Sequence, residues 1–380
     1  MFDAWQAPAE ALYNMLVKPA RPYLAPERPL VIVPDGILHY LPFETLRSKD
    51  AAGRPQCLIE QFPVSYMPSV SVLAELQQRP PERARLDLLA YGDPVFSRAG
   101  AASSPSVDLV RGIYESAGIR FPALPSTRRE VEALGRLFPR ERRTIFLGLD
   151  ATEASVKHTN LLDYRLLHFA THAIVDDRNP ARSGIVLSLV NTGDEDGILR
   201  INEIFNLEMN AGLVVLSACQ TGLGNLVRGE GVVGLTRAFL YAGARRVAVS
   251  LWDVNDLTAP DFMQSFYRRL RQGEDPASAL RSAKVEMLQS DSPVRANPYF
   301  WAHACHECAT AFVYSEYPGG GATGVLVNWG RNAEKEVWRF DAVLVAKEAG
   351  GRRGKFDDVA CVLSRRDNQN GRELNHVAPA

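Results

Sequence analysis

The sequence predicts an α/β sandwich built on a mainly parallel sheet. Three observations carry this. From residue 86 to 289 short apolar runs alternate with helical patterns, the order that builds parallel strands through crossover helices. Two of the runs, Arg165-Leu-Leu-His-Phe-Ala-Thr-His172 and Leu213-Val-Val-Leu-Ser-Ala-Cys219, end abruptly in a reactive side chain, as strands do at the ligand-binding edge of an open α/β sheet. The pattern over 230–242 carries Val232, Val233, Leu235, Phe239 and Leu240, apolar nearly all round, which suits a helix buried in such a fold.

The elements follow in chain order. Residues 10–18 read as a short helix ending near Pro19, and Pro29–Pro34 as a buried strand closed by an Asp35-Gly36 turn. Leu58 to Met67 alternates like a strand pair, and Pro68 and Ser69 open a helix over 70–77. Leu86–Gly92 is a core strand, and 97–124, rich in Ser, Ala, Gly and Pro, an exposed loop. Thr127-Arg-Arg-Glu130 reads as a capping box, with Val131, Leu134 and Phe138 on one face of the helix it starts. Thr144–Leu147 is a strand, and Thr152 caps a helix to about 160. Ser183–Val190 is a strand ending in the acidic turn Gly193-Asp-Glu-Asp-Gly197, and Ile201–Phe205 a short helix. Arg246–Trp252 is the last core strand; Phe262, Phe266 and Leu270 mark a helix face, and Asp275-Pro276 starts one more. Beyond 303 periodicity weakens, and only Val337–Ala346 reads as a strand or hairpin.

Composition narrows the function classes. The 380 residues are 46% hydrophobic and 23% charged with a net charge of -1, ordinary for a globular protein and no footprint of a nucleic-acid or membrane binder. No apolar run approaches the ~18 residues of a membrane span, and the first ten residues lack the pattern of a secretory signal. Five cysteines, an odd and scattered count, fit a reducing cytoplasm better than a disulfide framework. No P-loop is present, and the position six after Cys219 is Asn225 rather than the Arg of a cysteine phosphatase. Cys305-His-Glu-Cys308 is one CxxC without a second pair, so neither a metal nor a cofactor is expected.

The sharpest chemical signal is the order His172 then Cys219, 47 residues on, with Gly222 and Gly224 close behind. Imidazole beside a thiol takes its proton to make a nucleophile and returns one to a leaving amine. Taken singly, Cys219 is as well read as a core filler and His172 as a satisfied polar group; together, in this order and spacing, they read as a Cys–His pair. His168, inside the apolar run, faces the core or the sheet edge.

The segments His168-Phe-Ala-Thr-His172, Leu216-Ser-Ala-Cys-Gln-Thr-Gly222, Gly229 to Ala244, and Ser250-Leu-Trp-Asp-Val-Asn-Asp256 resemble the CHAT domain, a bacterial caspase-like family often found behind TPR repeats. Val31 to Phe43 and Asn297-Pro-Tyr-Phe-Trp301 are similar to it as well, so the likeness covers roughly 10–302. The resemblance implies a caspase/separase-like three-layer α/β/α fold over 1–302, with an N-terminal half to 85, a catalytic half from 86, and a divergent tail over 303–380. It implies Cys219 as nucleophile and His172 as general base of an endopeptidase, with an oxyanion hole from the backbone of Ala173 and Cys219. Asp253 and Asp256 would line a pocket for a basic residue, or else cap the following helix. A partner protein, TPR-containing or another, would activate the enzyme by moving the Gly222–Arg228 segment; the alternative is a protein-interaction module without turnover. The family has Gly where this chain has Ala173. Where the family closes with an apolar strand this chain reads Ala302 to Cys308, so either Ala311–Tyr314 supplies that strand late or the tail is foreign sequence.

Overall fold

The computed structural model describes residues 4–24, 29–34, 36–67, 83–97, 120–176, 179–190, 192–222, 230–252, 259–302, 304–308, 324–332, 337–346, 359–366 and 373–378. They fall into two units, 1–77 with 310–380, and 78–309. The first unit opens with helix α1 (Gln6–Leu12), which continues through a π-turn over Tyr13–Val17 into a 3-10 turn over Lys18–Tyr23. The helix thus starts earlier than the apolar pattern suggests, and Pro19 is absorbed in the 3-10 turn. Strand β1 (Leu30–Val33) is followed by the hairpin β2 (Arg47–Lys49) and β3 (Pro55–Cys57), a helical turn α2 (Leu58–Gln61) and β4 (Val64–Tyr66). The expected strand pair over 58–67 is therefore a helical turn and one strand. Glu60 explains the difference, since its carboxylate accepts the Cys57 N–H at 2.7 Å and closes a helical cap.

The second unit holds the predicted parallel sheet. Its strands are β5 (Leu86–Gly92), β6 (Arg143–Leu147), β7 (Tyr164–Val175), the short β8 (Gly184–Val186) and β9 (Ile198–Arg200), β10 (Leu213–Gly222), β11 (Arg246–Ser250) and β12 (Ala304–Cys308). The order across the sheet is β12-β11-β10-β7-β5-β6, parallel except for β12. Strand β12 pairs antiparallel with β11, so Ala304–Cys308 supplies a closing strand directly after Trp301; residues 311–314 lie outside the described ones. Helices α3 (Pro125–Gly135), α7 (Ala259–Arg271) and α8 (Pro276–Leu288) cover one face, and α5 (Ile201–Ile204) and α6 (Glu230–Ala242) the other; α4 (Glu153–His158) links β6 to β7. This is an α/β/α sandwich. A parallel sheet covered on both faces must be apolar on both, and β7 is buried at every residue but Arg165. Tyr91, Phe146 and Phe169 stack across three neighbouring strands at 5.1 Å each, and Phe239 of α6 tilts onto Phe169 at 5.8 Å.

The capping signals are partly borne out. Thr152 accepts the Ser155 N–H at 3.1 Å and Asp275 the Ala277 N–H at 3.0 Å, each at its helix start. Helix α3 instead begins at Pro125, two residues before Thr127. Thr127 turns away from capping to accept the Asp93 N–H at 2.8 Å, and Glu130 is buried against β7. The strand expected over 183–190 is only β8; the acidic turn leads back into β9, and the two form an antiparallel ribbon. The expected helix over 70–77 lies outside the described residues. No helix among the described residues is long and apolar enough to cross a membrane. In the first unit, β1 pairs in parallel with β4 and with β13 (Gly324–Asn332); β14 (Val337–Ala346), β15 (Val359–Arg366) and β16 (Glu373–Ala378) extend from β13 antiparallel, so Val337–Ala346 is a single strand.

Candidate active site

Strands β7 and β10 carry the two reactive positions, and their pairing is parallel and unbroken from Leu166 with Leu213 to Val175 with Gly222. Within it Cys219 is the register partner of His172. Partnered residues lie on one face of a sheet, on strands about 4.8 Å apart. Neither position is at a strand end, as the sequence suggests; each strand runs on to Val175 or Gly222. The cause is the flanking chain. Strand β5 stops at Gly92, opposite Ala170, and β8 takes its place beside His172, Ala173 and Ile174. With β10 on one side and β8 on the other, β7 stays in the ladder beyond the histidine.

His172 is buried, with 2% of its surface exposed. Its Nε2–H donates to the Pro122 carbonyl at 2.8 Å. Its ring lies 4.9 Å from that of Phe96 and 5.8 Å from that of Phe121, tilted 46° to each. Both phenylalanines belong to one apolar cluster with Leu124, Ile174, Val186, Leu189 and Ile198. Phe96 is pinned through its neighbour: the Val95 N–H donates to Ser188 Oγ at 2.9 Å, the Val95 carbonyl accepts the Leu189 N–H at 2.9 Å, and Ser188 Oγ donates to the Gly148 carbonyl at 2.7 Å. The Thr171 hydroxyl donates to the Val186 carbonyl and ties β7 to β8 one residue before the histidine. Sequence reading missed Phe96, Phe121 and Pro122. Phe96 borders the stretch 97–124 expected to be an exposed loop, and Phe121 and Pro122 lie inside it.

His168 is the second histidine on the strand and is fully buried. Its Nδ1 is 2.9 Å from the Tyr267 hydroxyl and its Nε2 2.9 Å from a Glu130 carboxylate oxygen. The consistent assignment has Nε2–H donating to Glu130 and Tyr267 O–H donating to Nδ1. Burial pushes the Tyr267 hydroxyl pKa well above its ordinary value, so it stays a donor. This side chain braces β7 against α3 and α7, the core placement of the two expected for it.

Ala173 sits between two backbone partners, Gln220 on β10 and Ile185 on β8. Asp253, Asp256 and residues 223–228 lie outside the described residues. Just before them Trp252 donates its Nε1–H to the Tyr299 carbonyl at 3.1 Å and stacks on the Tyr299 ring. Cys305 and Cys308 are register partners of Val249 and Arg246. Glu153, Glu195 and Glu203 converge closely enough to hold a cation, but Lys157 Nζ already stands 2.7 Å from an oxygen of each. Burial pushes Glu153 up to about 8. Cys57 is a buried free thiol that burial pushes up to about 12, so it is inert at neutral pH.

Residues 6–308 match the model of the CHAT domain family. Tetratricopeptide repeat protein 28 of Homo sapiens is 28% identical over 333 residues, and the same protein of Mus musculus 28% over 340. Each alignment covers 78% of this chain but 13% of the relative, so the chain spans about an eighth of the curated relatives it matches. These relatives are mammalian, outside the bacterial setting the motifs suggested. Two crystal structures of the Saccharomyces cerevisiae separase–securin complex align with 71% of this chain and 14% or 15% of theirs, at 14% and 13% identity and TM-scores of 0.39 and 0.41.

Proposed function

The chain belongs to the CHAT domain family, and on that premise we propose that it is a cysteine endopeptidase with Cys219 as nucleophile and His172 as general base. The observation that carries this reading is the shared rung of β7 and β10, which sets the two residues side by side on adjacent parallel strands. The Pro122 carbonyl fixes the proton on Nε2 and leaves Nδ1 as the basic atom of the ring. In the reaction, that atom takes the Cys219 thiol proton and the thiolate attacks a peptide carbonyl. The tetrahedral oxyanion is held by the backbone N–H groups of Ala173 and Cys219. The imidazolium then protonates the leaving amine, and water hydrolyses the thioester. Asp253 and Asp256 would favour Lys or Arg before the cut through charge-assisted pairing. A reducing compartment such as the cytoplasm suits a nucleophile of this kind.

The geometry also supports a latent resting form. A leaving amine cannot reach an imidazolium that is 2% exposed, and Ala173 is enclosed by β8 and β10. Activation would part these strands locally, work for a partner protein, TPR-containing or otherwise. A Lys- or Arg-bearing acyloxymethyl-ketone probe tests the reading on wild type, Cys219→Ala and His172→Ala. Labelling confined to wild type supports a competent dyad. Labelling that persists in Cys219→Ala overturns it, and a wild type that stays unlabelled with every peptide and partner favours a protein-interaction module without turnover.

A further inference from the structure

A groove of about 700 Å³ opens within the first unit, in the 1–77 portion that carries none of the dyad chemistry. Lys18 and Arg21, from the 3-10 turn after α1, line one wall; Arg47 and Lys49, on β2, line the other. The two arginines are held from behind by aromatic rings. The Arg47 guanidinium lies 5.2 Å over Trp5 and that of Arg21 5.8 Å over Phe62. Stacking fixes the plane of a guanidinium and leaves edge donors for a carboxylate fork; Arg21 spends one Nη1–H on the Leu24 carbonyl at 3.2 Å and keeps the rest. None of the four cations forms an ion pair with a described carboxylate. The groove's own acids are largely spoken for. Asp50 accepts from the Ala52 and Arg54 N–H groups at 2.9 and 2.8 Å and pairs with Arg54 Nε at 2.8 Å. Glu60 holds the Cys57 N–H. Glu10 is exposed and makes the remaining opposing charge.

The shape selects among anions. Arg47, Ser48 and Lys49 all border the groove, although consecutive side chains leave a strand on opposite faces. The groove therefore runs beside β2 and over the β2–β3 hairpin, where the register partners Ser48 and Gln56 both line it, and among the described residues β2 pairs with β3 alone. Arg47 and Lys49 are two strand steps apart, about 6.8 Å, which is the spacing of alternate side chains on an extended peptide. Asn14, Gln56 and Gln61 add neutral amides along the same walls. We propose that this groove is a docking site for an extended acidic peptide, carrying Asp or Glu at alternate positions and adding along the β2 edge. Main-chain pairing would supply affinity, and the four cations the choice of sequence.

The test is fluorescence anisotropy on the full chain with a fluorescein-labelled octapeptide of alternating Glu and Thr, and its Gln/Thr counterpart. The Glu peptide is expected to bind at least tenfold tighter than the Gln peptide, and to weaken as salt rises. Lys18→Glu with Lys49→Glu, both exposed, should weaken it at least tenfold with an unchanged circular dichroism spectrum; Glu10→Gln should tighten it by about two- to threefold. Equal affinity of the two peptides, or indifference to both variants, overturns the proposal. Tripolyphosphate or an oligonucleotide displacing the Glu peptide at lower concentration than unlabelled Glu peptide overturns it in favour of a polyphosphate site.

Discussion

Two histidines four residues apart on β7 stand on the same face of one strand, yet their surroundings have opposite logic. His168 is enclosed by side chains of two long helices, with a carboxylate on one nitrogen and a hydroxyl on the other. Its register partner on β10 is Val215, an apolar residue. His172 is held by a loop carbonyl and two rings from segments on either side of a long connection, and its register partner is a cysteine. The strand positions both equally well. What differs is that the first ring ends in a closed polar network, which rigidifies a core, and the second shares its rung with a cysteine, the pairing on which the proposed base role rests.

The comparison breaks first on catalysis. His172→Ala and Cys219→Ala should each lower probe labelling by at least about 10³-fold, while Cys219→Ala leaves the thermal midpoint nearly unchanged. A loss of fold in Cys219→Ala would make the cysteine a packing residue and collapse the distinction. The opposite pattern is expected at His168. Replacing it with Ala strands the buried Glu130 carboxylate and should cost about 3–5 kcal/mol in denaturant unfolding. Tyr267→Phe, which removes only the donor to Nδ1, should cost about 1–3 kcal/mol. Should His168→Ala keep its stability and lose labelling, the two roles would have to be exchanged. Phe121→Ala, which leaves the dyad atoms in place but removes one side of the His172 bracket, should slow labelling about tenfold, because a base free to swing is a worse base. Phe121→Leu should restore most of the rate.

The smallest effect is a control outside both rungs. Burial raises Glu153 in the folded state to about 8, above its unfolded value of 4.5. Its contribution to stability is therefore present below pH 4.5 and lost as pH rises through about 8. Glu153→Gln should match wild type in melting temperature near pH 5 and exceed it near pH 9. Lys157, raised by its three carboxylates, and Glu203, lowered chiefly by Lys157, remain charged across that window and do not reverse the sign.

The apolar run of β7 was legible in sequence because burial on both faces writes itself as composition, whereas α6, read as apolar nearly all round, leaves Arg237 and Tyr241 exposed. The order of His172 and Cys219 was legible because both lie on long strands. The β8–β9 ribbon was not: three-residue strands carry no period, and its turn reads only as acidic loop. The extension of β7 past His172 runs beside that ribbon, so it was hidden too. Thr127 and Glu130 matched a local capping pattern, but partners distant in sequence, Asp93 and His168, claimed both side chains. The bracket of Phe96, Phe121 and Pro122 likewise joins residues that only the fold brings together.

In the proposed mechanism His172, and not His168, activates Cys219. Site-resolved iodoacetamide alkylation across pH 5 to 10, read by mass spectrometry on wild type and His172→Ala, tests it most directly. The account predicts that Cys219 in wild type reacts at least tenfold faster near pH 6 than in the variant, whose profile returns to that of an ordinary thiol, while buried Cys57 stays unmodified in both. Superimposable Cys219 profiles would contradict it.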